Sequence, residues 1–202
     1  SGCPTQIKGR LVHFLSRKAM NVIAGDATIE QLYSKALVWN PADFYELEKE
    51  HLLLLEGWKE KSAERFLKSL AESKKVSFDR VLYALGIRYV GEATAKSVAA
   101  HFGNIDAIAK ADVEDLLKVD DVGQVIAESI YGFFADDANK DTVDRLKAAG
   151  LKFEMENAPQ KMSDILSGKT IVISGNFSIP RDDMKALITS HGGKNSGSVS
   201  GK

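Results

Sequence analysis

Four segments of the chain repeat with a period of about 32 residues, and this repetition limits the possible folds more than any other feature. The segments Ile23-Ala24-Gly25-Asp26, Gly57-Trp58-Lys59-Glu60, Tyr89-Val90-Gly91-Glu92 and Asp121-Val122-Gly123-Gln124 align on Gly25, Lys59, Gly91 and Gly123, spaced 34, 32 and 32 residues apart. The residue before each anchor is apolar: Ala24, Trp58, Val90, Val122. Four positions after the anchors come Ile29, Ala63, Ala95 and Ala127; seven after come Leu32, Phe66, Val98 and Ile130. Leu55, Ile87 and Val119 precede the last three anchors by four. Offsets of four and seven put side chains on one face of a helix that starts just after the anchor.

The pattern predicts four units of helix, tight hairpin and helix. Glycine suits the hairpin by allowing unusual backbone angles and close approach of another backbone. Ala63, Ala95 and Ala127 are small enough for two helices to pack tightly. Upstream helices are expected over 42–55, 78–85 and 113–118, with Pro41 in a first turn after an Asn40 cap. An ordinary α-hairpin bundle, whose glycines merely end helices, is the alternative.

A tight hairpin opening into a helix aims several backbone N–H groups at one spot, where the helix N-terminus adds partial positive charge. That arrangement suits a phosphate oxygen and reads no base identity. The formal net charge of the chain is −1, so polyanion binding must rely on local basic patches or backbone amides. Such binding to DNA would be sequence-independent and weakened by salt. Apolar residues at 44% and charged residues at 27% describe a globular chain. One cysteine, Cys3, excludes an internal disulfide and fits a reducing compartment. No apolar run approaches a membrane span, and a cytoplasmic protein without membrane partners is expected. Starting without Met and ending at Gly201-Lys202 in mid-pattern, the sequence reads as a piece of something longer.

Cys3-Pro4-Thr5-Gln6, His13-Phe14-Leu15-Ser16-Arg17-Lys18-Ala19-Met20, the run from Ala84 to Ala95, and Arg145-Leu146-Lys147-Ala148-Ala149-Gly150 together resemble bacterial NAD-dependent DNA ligases. The resemblance covers essentially the whole chain. It implies a mainly α fold: a tandem helix-hairpin-helix bundle followed by a truncated α/β segment like the start of a BRCT domain. The expected parts are the end of a zinc finger (1–12), a four-unit DNA-binding domain (13–153), a linker (154–165) and an incomplete BRCT-like piece (166–202). The first unit is one residue short of the family pattern and lacks its first glycine. In the fourth, Asp120-Asp121 would repel phosphate. Units two and three are therefore expected to grip DNA, through Gly57, Lys59, Lys61, Arg88, Gly91 and Lys96, with Gly123 in unit four. Lys74-Lys75 and Arg17-Lys18 are further candidates, and a solvated helix face is the alternative for each cation.

One cysteine cannot build a zinc site. The resemblance makes Cys3 the last of four zinc ligands in a parent protein, and no zinc is expected on this chain alone. His13, His51, His101 and His191 have no ligand spacing. The family moves AMP from NAD to a lysine in a Lys-x-Asp-Gly motif and joins ends with magnesium. No such motif occurs here, so a catalytically silent portion of a ligase acting on nicked duplex DNA is implied. The alternatives are a free-standing helix-hairpin-helix repair module and a protein-interaction bundle.

After Gly150 the pattern changes. The β-branched run from Thr170 to Ile173, closed by Ser174-Gly175, predicts a buried strand. A helix over 181–191, with Met184, Leu187 and Ile188 on one side, is followed by Gly192-Gly193 as its cap. Residues 194–200 could begin a second strand. Ser174-Gly175 matches the phosphate-holding position of phosphopeptide-binding BRCT domains, with a packing turn as the alternative.

Overall fold

A computed structural model of the chain describes residues 3–156, 165–175, 179 and 181–196, which fall into two compact units, Ser1–Glu156 and Asn157–Lys202. The first unit is helical: α1 (Pro4–Leu15), α2 (Asp26–Ser34), a 3-10 helix η1 (Pro41–Glu46), α3 (Lys49–Leu53), α4 (Glu60–Ser73), α5 (Phe78–Ala84), α6 (Glu92–Phe102), α7 (Ile105–Lys110), α8 (Val113–Leu117), α9 (Gln124–Ala135) and α10 (Asp137–Ala149). The four hairpins are α1/α2, α3/α4, α5/α6 and α8/α9. A fold that is mainly α, built from tandem hairpins, is the one the repeat predicts.

The apolar offsets four before, four after and seven after the anchors are all inside, and of the residues just before the anchors Val90 and Val122 are buried while Ala24 and Trp58 are half-buried. Ile29, Ala63, Ala95 and Ala127 are buried, as are Leu32, Phe66, Val98 and Ile130, and Leu55, Ile87 and Val119. They join one continuous apolar cluster with Leu11, Phe14, Phe44, Leu52, Phe78 and Leu82. Burial at about 25 cal/mol per Å² of apolar surface is what holds these short helices, several of them too short to persist alone. Their ends are fixed by side chains. Asn104 Oδ1 accepts from Ala107 N at 2.8 Å, Asp112 Oδ1 from Asp115 N at 2.8 Å, and Asp136 Oδ1 from Ala138 N at 2.8 Å. Gly103 at φ 78° and Gly150 at φ 97° end α6 and α10 in the left-handed region.

Residues 42–55 do not form the single helix that their pattern predicts. They divide into η1 and α3: Asp43 holds the entry to η1, and Glu48 N, a donor that a continuous helix would use, is taken by the side chain of His51. Asp43 Oδ2 accepts from Trp39 N and Asn40 N, each at 2.8 Å, and His51 Nδ1 accepts from Glu48 N at 3.1 Å. The Asn40 cap before Pro41 is present, its Oδ1 taking Ala42 N at 2.9 Å.

Helix α10 closes the unit against η1. Arg145 Nη2 reaches Asp43 Oδ1 at 2.6 Å and Glu46 Oε1 at 2.7 Å, while Asn40 Nδ2 donates to Thr142 Oγ1 at 2.5 Å. Arg145 and Asp43 are half-buried, so Arg145→Ala removes charge-assisted hydrogen bonds to two carboxylates and is expected to cost about 2 kcal/mol. A thermal melt should then fall by roughly 6 °C. Downstream, Ile105 N donates to Phe153 O at 2.9 Å and Met155 N to Gly103 O at 2.8 Å. Residues 154 and 155 of the expected linker therefore belong to the helical unit; 157–164 lie outside the described residues.

The second unit contains β1 (Thr170–Val172), α11 (Arg181–Ser190) and β2 (Lys194–Ser196). The strands are parallel, with Thr170 opposite Lys194 and Val172 opposite Ser196. The predicted strand is present but not buried: Ile171 and Val172 are half-buried and Thr170 is exposed, since among the described residues β1 pairs with β2 alone. On α11, Ile188 is buried and Leu187 is 54% exposed, so the expected apolar side is only partly covered. The helix ends as predicted. Gly192, at φ 83°, donates to Thr189 O at 3.0 Å, and Gly193 N donates to Ile188 O at 2.9 Å. A side chain on Gly193 would meet Ile188 Cγ2 at 2.7 Å, so Gly193→Ala is expected to loosen this unit by about 1–3 kcal/mol, read as protease sensitivity C-terminal to Glu156. Ser174 and Gly175 are exposed, with Gly175 at φ 110°. The last residues of the expected second strand, 197–200, lie outside the described residues.

Candidate nucleic-acid interface

Three of the hairpins share one turn. Trp58 N donates to Leu55 O at 3.3 Å, Val90 N to Ile87 O at 3.1 Å, and Val122 N to Val119 O at 3.2 Å. Each turn has its left-handed residue two positions before the anchor: Gly57 at φ 82°, Tyr89 at 66°, Asp121 at 66°. The first hairpin departs from this. Its left-handed residue is Asn21 at φ 53°, four before Gly25, and Asn21 N donates to Ser16 O instead. The shortened sequence of unit one thus folds into a different turn.

The anchors themselves are extended, and each caps the following helix. Gly25, Lys59, Gly91 and Gly123 have φ of −89°, −130°, −84° and −90°. Their carbonyls accept from residues 29, 63, 95 and 127 at 2.9–3.3 Å. Contrary to expectation, the anchor glycines are therefore not needed for their backbone angles. A Cβ added at Gly25, Gly91 or Gly123 would meet nothing within 4 Å. What their lack of a side chain provides is open space in front of helix N-termini that carry unpaired N–H groups.

The hairpins are held in pairs by one recurring contact. Gln31 of α2 donates through Nε2 to Glu56 O at 2.9 Å and accepts from Trp58 Nε1 at 2.7 Å. Ser129 of α9 donates to Arg88 O at 2.6 Å. In both, the residue six after one anchor fixes the carbonyl three before another. Units one and two form one pair, and units three and four the other. The turn of unit one is also tied to α4, Ile23 N donating to Ser69 Oγ at 2.8 Å.

Three shallow grooves follow one another along this side. The first lies between hairpins one and two and includes Gly25, Gly57, Lys61 and Arg65. The next shares Arg65 and adds Lys68 and Arg80. The third shares Arg80 and adds Arg17, Lys18 and Lys96 at the start of α6. Arg80 is fixed there by donating to Arg17 O at 2.6 Å and Lys18 O at 3.2 Å. Lys61, Arg65 and Lys68 are exposed and make no ion pair among the described residues. Lys59 and Lys96 are likewise without one, whereas Lys18 pairs with Glu92 at 3.0 Å and Lys75 with Glu72 at 3.2 Å. Arg88 faces a different groove, of about 370 Å³, beside Arg10, Ser129 and Asn139.

Gly57, Lys61 and Lys96 of the sequence-nominated set thus border one track, in which cations outnumber the carboxylates Glu56, Glu72, Asp79 and Glu92; Lys59 and Gly91 adjoin it in sequence without lining these grooves, and Arg88 lines another. Gly123 borders none of these grooves. Its hairpin is acidic at Asp120 and Asp121, and the nearby Lys118 is held by Asp115 at 2.7 Å. Arg65, Lys68 and Arg80 are not among the residues expected from sequence. The spacing of Lys61, Arg65 and Lys68 (i, i+4, i+7) was the available signal for the first two; Arg80 comes to the track only through tertiary packing. Cys3 is exposed at the N-cap of α1, its thiol shifted below the usual range by hydrogen bonds from Thr5. Among the described residues no cluster of three or more His, Cys, Asp or Glu side chains could hold a metal ion, and no helix is long and apolar enough to cross a membrane.

A helix-hairpin-helix motif profile matches residues 80–143, which hold hairpins three and four, and a BRCA1 C-terminus (BRCT) domain profile matches residues 162–202. Fold and site together define a tandem helix-hairpin-helix protein with a BRCT segment. The whole chain is similar to proteins named DNA ligase: 52% identical over 204 residues to that of Parabacteroides distasonis, 47% over 205 to that of Phocaeicola vulgatus, and 45% over 204 to that of Flavobacterium johnsoniae. The chain is covered completely in each comparison and spans about 30–31% of the relative's length. Over all of its length it is similar to a segment of bacterial proteins named DNA ligase, and a free-standing repair module is the less favoured reading.

Proposed function

We propose that this chain is the duplex-gripping portion of an NAD-dependent DNA ligase, holding nicked DNA by its phosphate backbone without reading sequence. The observation that carries the reading is the basic track beside helix N-termini whose glycines leave room for a phosphate. Lys59, Lys61, Gly57, Gly91 and Lys96 supply the contacts, joined by Arg65, Lys68 and Arg80. Arg88 and Gly123 contribute from outside the track. Similarity to ligases over the whole chain supports the parent activity: nick sealing in replication and repair in the cytoplasm, with NAD as the adenylate donor and magnesium as the metal of joining. The chain has no Lys-x-Asp-Gly motif, so it is expected to be silent in ligation by itself. Cys3, exposed at the N-cap of α1, would contribute a thiolate to a zinc completed by other residues of the parent.

Gly91→Val tests the hairpin. The extended backbone of Gly91 accepts valine and an added Cβ meets nothing within 4 Å, so stability should change by only about 1 kcal/mol, the cost of a poorer cap. The carbons would occupy the space assigned to phosphate, and affinity for nicked duplex should fall at least tenfold by fluorescence anisotropy. Arg88→Glu is the companion probe. If neither variant weakens binding, hairpin three does not hold DNA.

A further inference from the structure

The tip of hairpin three carries a feature that phosphate binding does not require. At the left-handed position of the shared turn, unit two has Gly57 and unit four has Asp121, residues that tolerate such a backbone. Unit three has Tyr89, at φ 66°, where a bulky side chain is strained. Strain of this kind persists where the surroundings hold it. Here they do: Ser129 Oγ binds Arg88 O on one side at 2.6 Å, and Val90 N binds Ile87 O on the other at 3.1 Å. The ring gains nothing from the core, being 56% exposed. The Arg88 guanidinium lies over the ring, 4.9 Å from its centroid, and more than half of the side chain still faces solvent.

We propose that Tyr89, backed by Arg88, is a stacking contact for the sugars or bases of the bound nucleic acid, set two residues ahead of the Gly91 phosphate site. The inference rests on the DNA-binding reading above. A ring face repels a phosphate but packs against deoxyribose and against the π-face of a base, most readily where a nick lets the end nucleotide shift. Arg88 stiffens the ring and screens its π-cloud, which accounts for its facing away from the basic track. Hairpin three would then hold backbone through Gly91 and the nucleoside through Tyr89.

The experiment is a salt series of affinities for nicked duplex, measured on the whole chain for wild type, Tyr89→Gly and Tyr89→Phe, with thermal melts alongside. Glycine is at ease at φ 66°, so Tyr89→Gly should melt no lower than wild type. It should nevertheless bind about tenfold more weakly at every salt concentration, with the slope of log affinity against log salt unchanged, because no phosphate contact is lost. Tyr89→Phe should bind as wild type. Equal affinities for Tyr89→Gly and wild type would overturn the proposal, as would a loss accompanied by a slope smaller by about one. A wild-type chain that binds no duplex would overturn the DNA-binding reading itself.

Discussion

Replacing Lys61, Arg65 and Lys68 together by glutamine is expected to weaken duplex binding about 500-fold at ~0.1 M salt, because each phosphate contact contributes roughly 0.9 to the logarithmic salt slope. The slope itself should fall by about 3. The three cations lie at i, i+4 and i+7 on α4, all exposed and none in an ion pair among the described residues. They face solvent and are available to an incoming polyanion. Their removal relieves mutual repulsion, so stability should hold within about 0.5 kcal/mol of wild type in a thermal melt. Lys75→Gln and Lys118→Gln provide the contrast, since these lysines are engaged by Glu72 and Asp115. Neither should alter affinity more than about threefold. A triple variant that binds with an undiminished slope would show that backbone amides alone carry the grip.

The parts of this interface that are legible in sequence are those set by periodicity. The offsets of four and seven are local consequences of helix geometry, so the repeat by itself places Ala95, Val98 and their equivalents inside, where they lie. Pairing of hairpins is not legible, because it depends on Gln31 and Ser129 meeting carbonyls 25 and 41 residues away. The glycines stand out in the repeat, but not for the backbone reason that glycine usually signals. Gly91 and Gly123 sit in ordinary extended backbone, and the unusual angles fall on Tyr89 and Asp121, which composition does not mark as turn formers of equal strength. Likewise the helix expected over 42–55 rests on apolar spacing, and the competing hydrogen bond from Glu48 N to His51 wins locally. The basic track is half visible. Helical spacing groups Lys61, Arg65 and Lys68, but Arg80 joins them only because its guanidinium is held by the carbonyls of Arg17 and Lys18.

Phe44→Ala should produce the largest loss of stability in the helical unit, about 4 kcal/mol, lowering its melting temperature by roughly 8–16 °C. Phe44 is fully buried and stacks on Phe14 of α1 with ring centroids 6.4 Å apart and planes 10° from parallel. Tyr45 meets the same Phe14 edge-on at 6.3 Å. The 3-10 helix that presents Phe44 is the element to which Arg145 of α10 is also tied, so the last helix and the first meet through it. Truncation leaves a cavity between η1 and α1 where the ring of Phe44 meets that of Phe14. Trp39→Ala, only five positions away but 55% exposed, should cost about 1 kcal/mol or less. Because one apolar cluster runs from Leu11 to Phe153, the loss should appear as an earlier single transition of this unit, with DNA binding disappearing along the same curve. A Phe44→Ala variant that lost binding at low temperature while still melting as wild type would mean that the 41–53 segment acts at the interface rather than in the core.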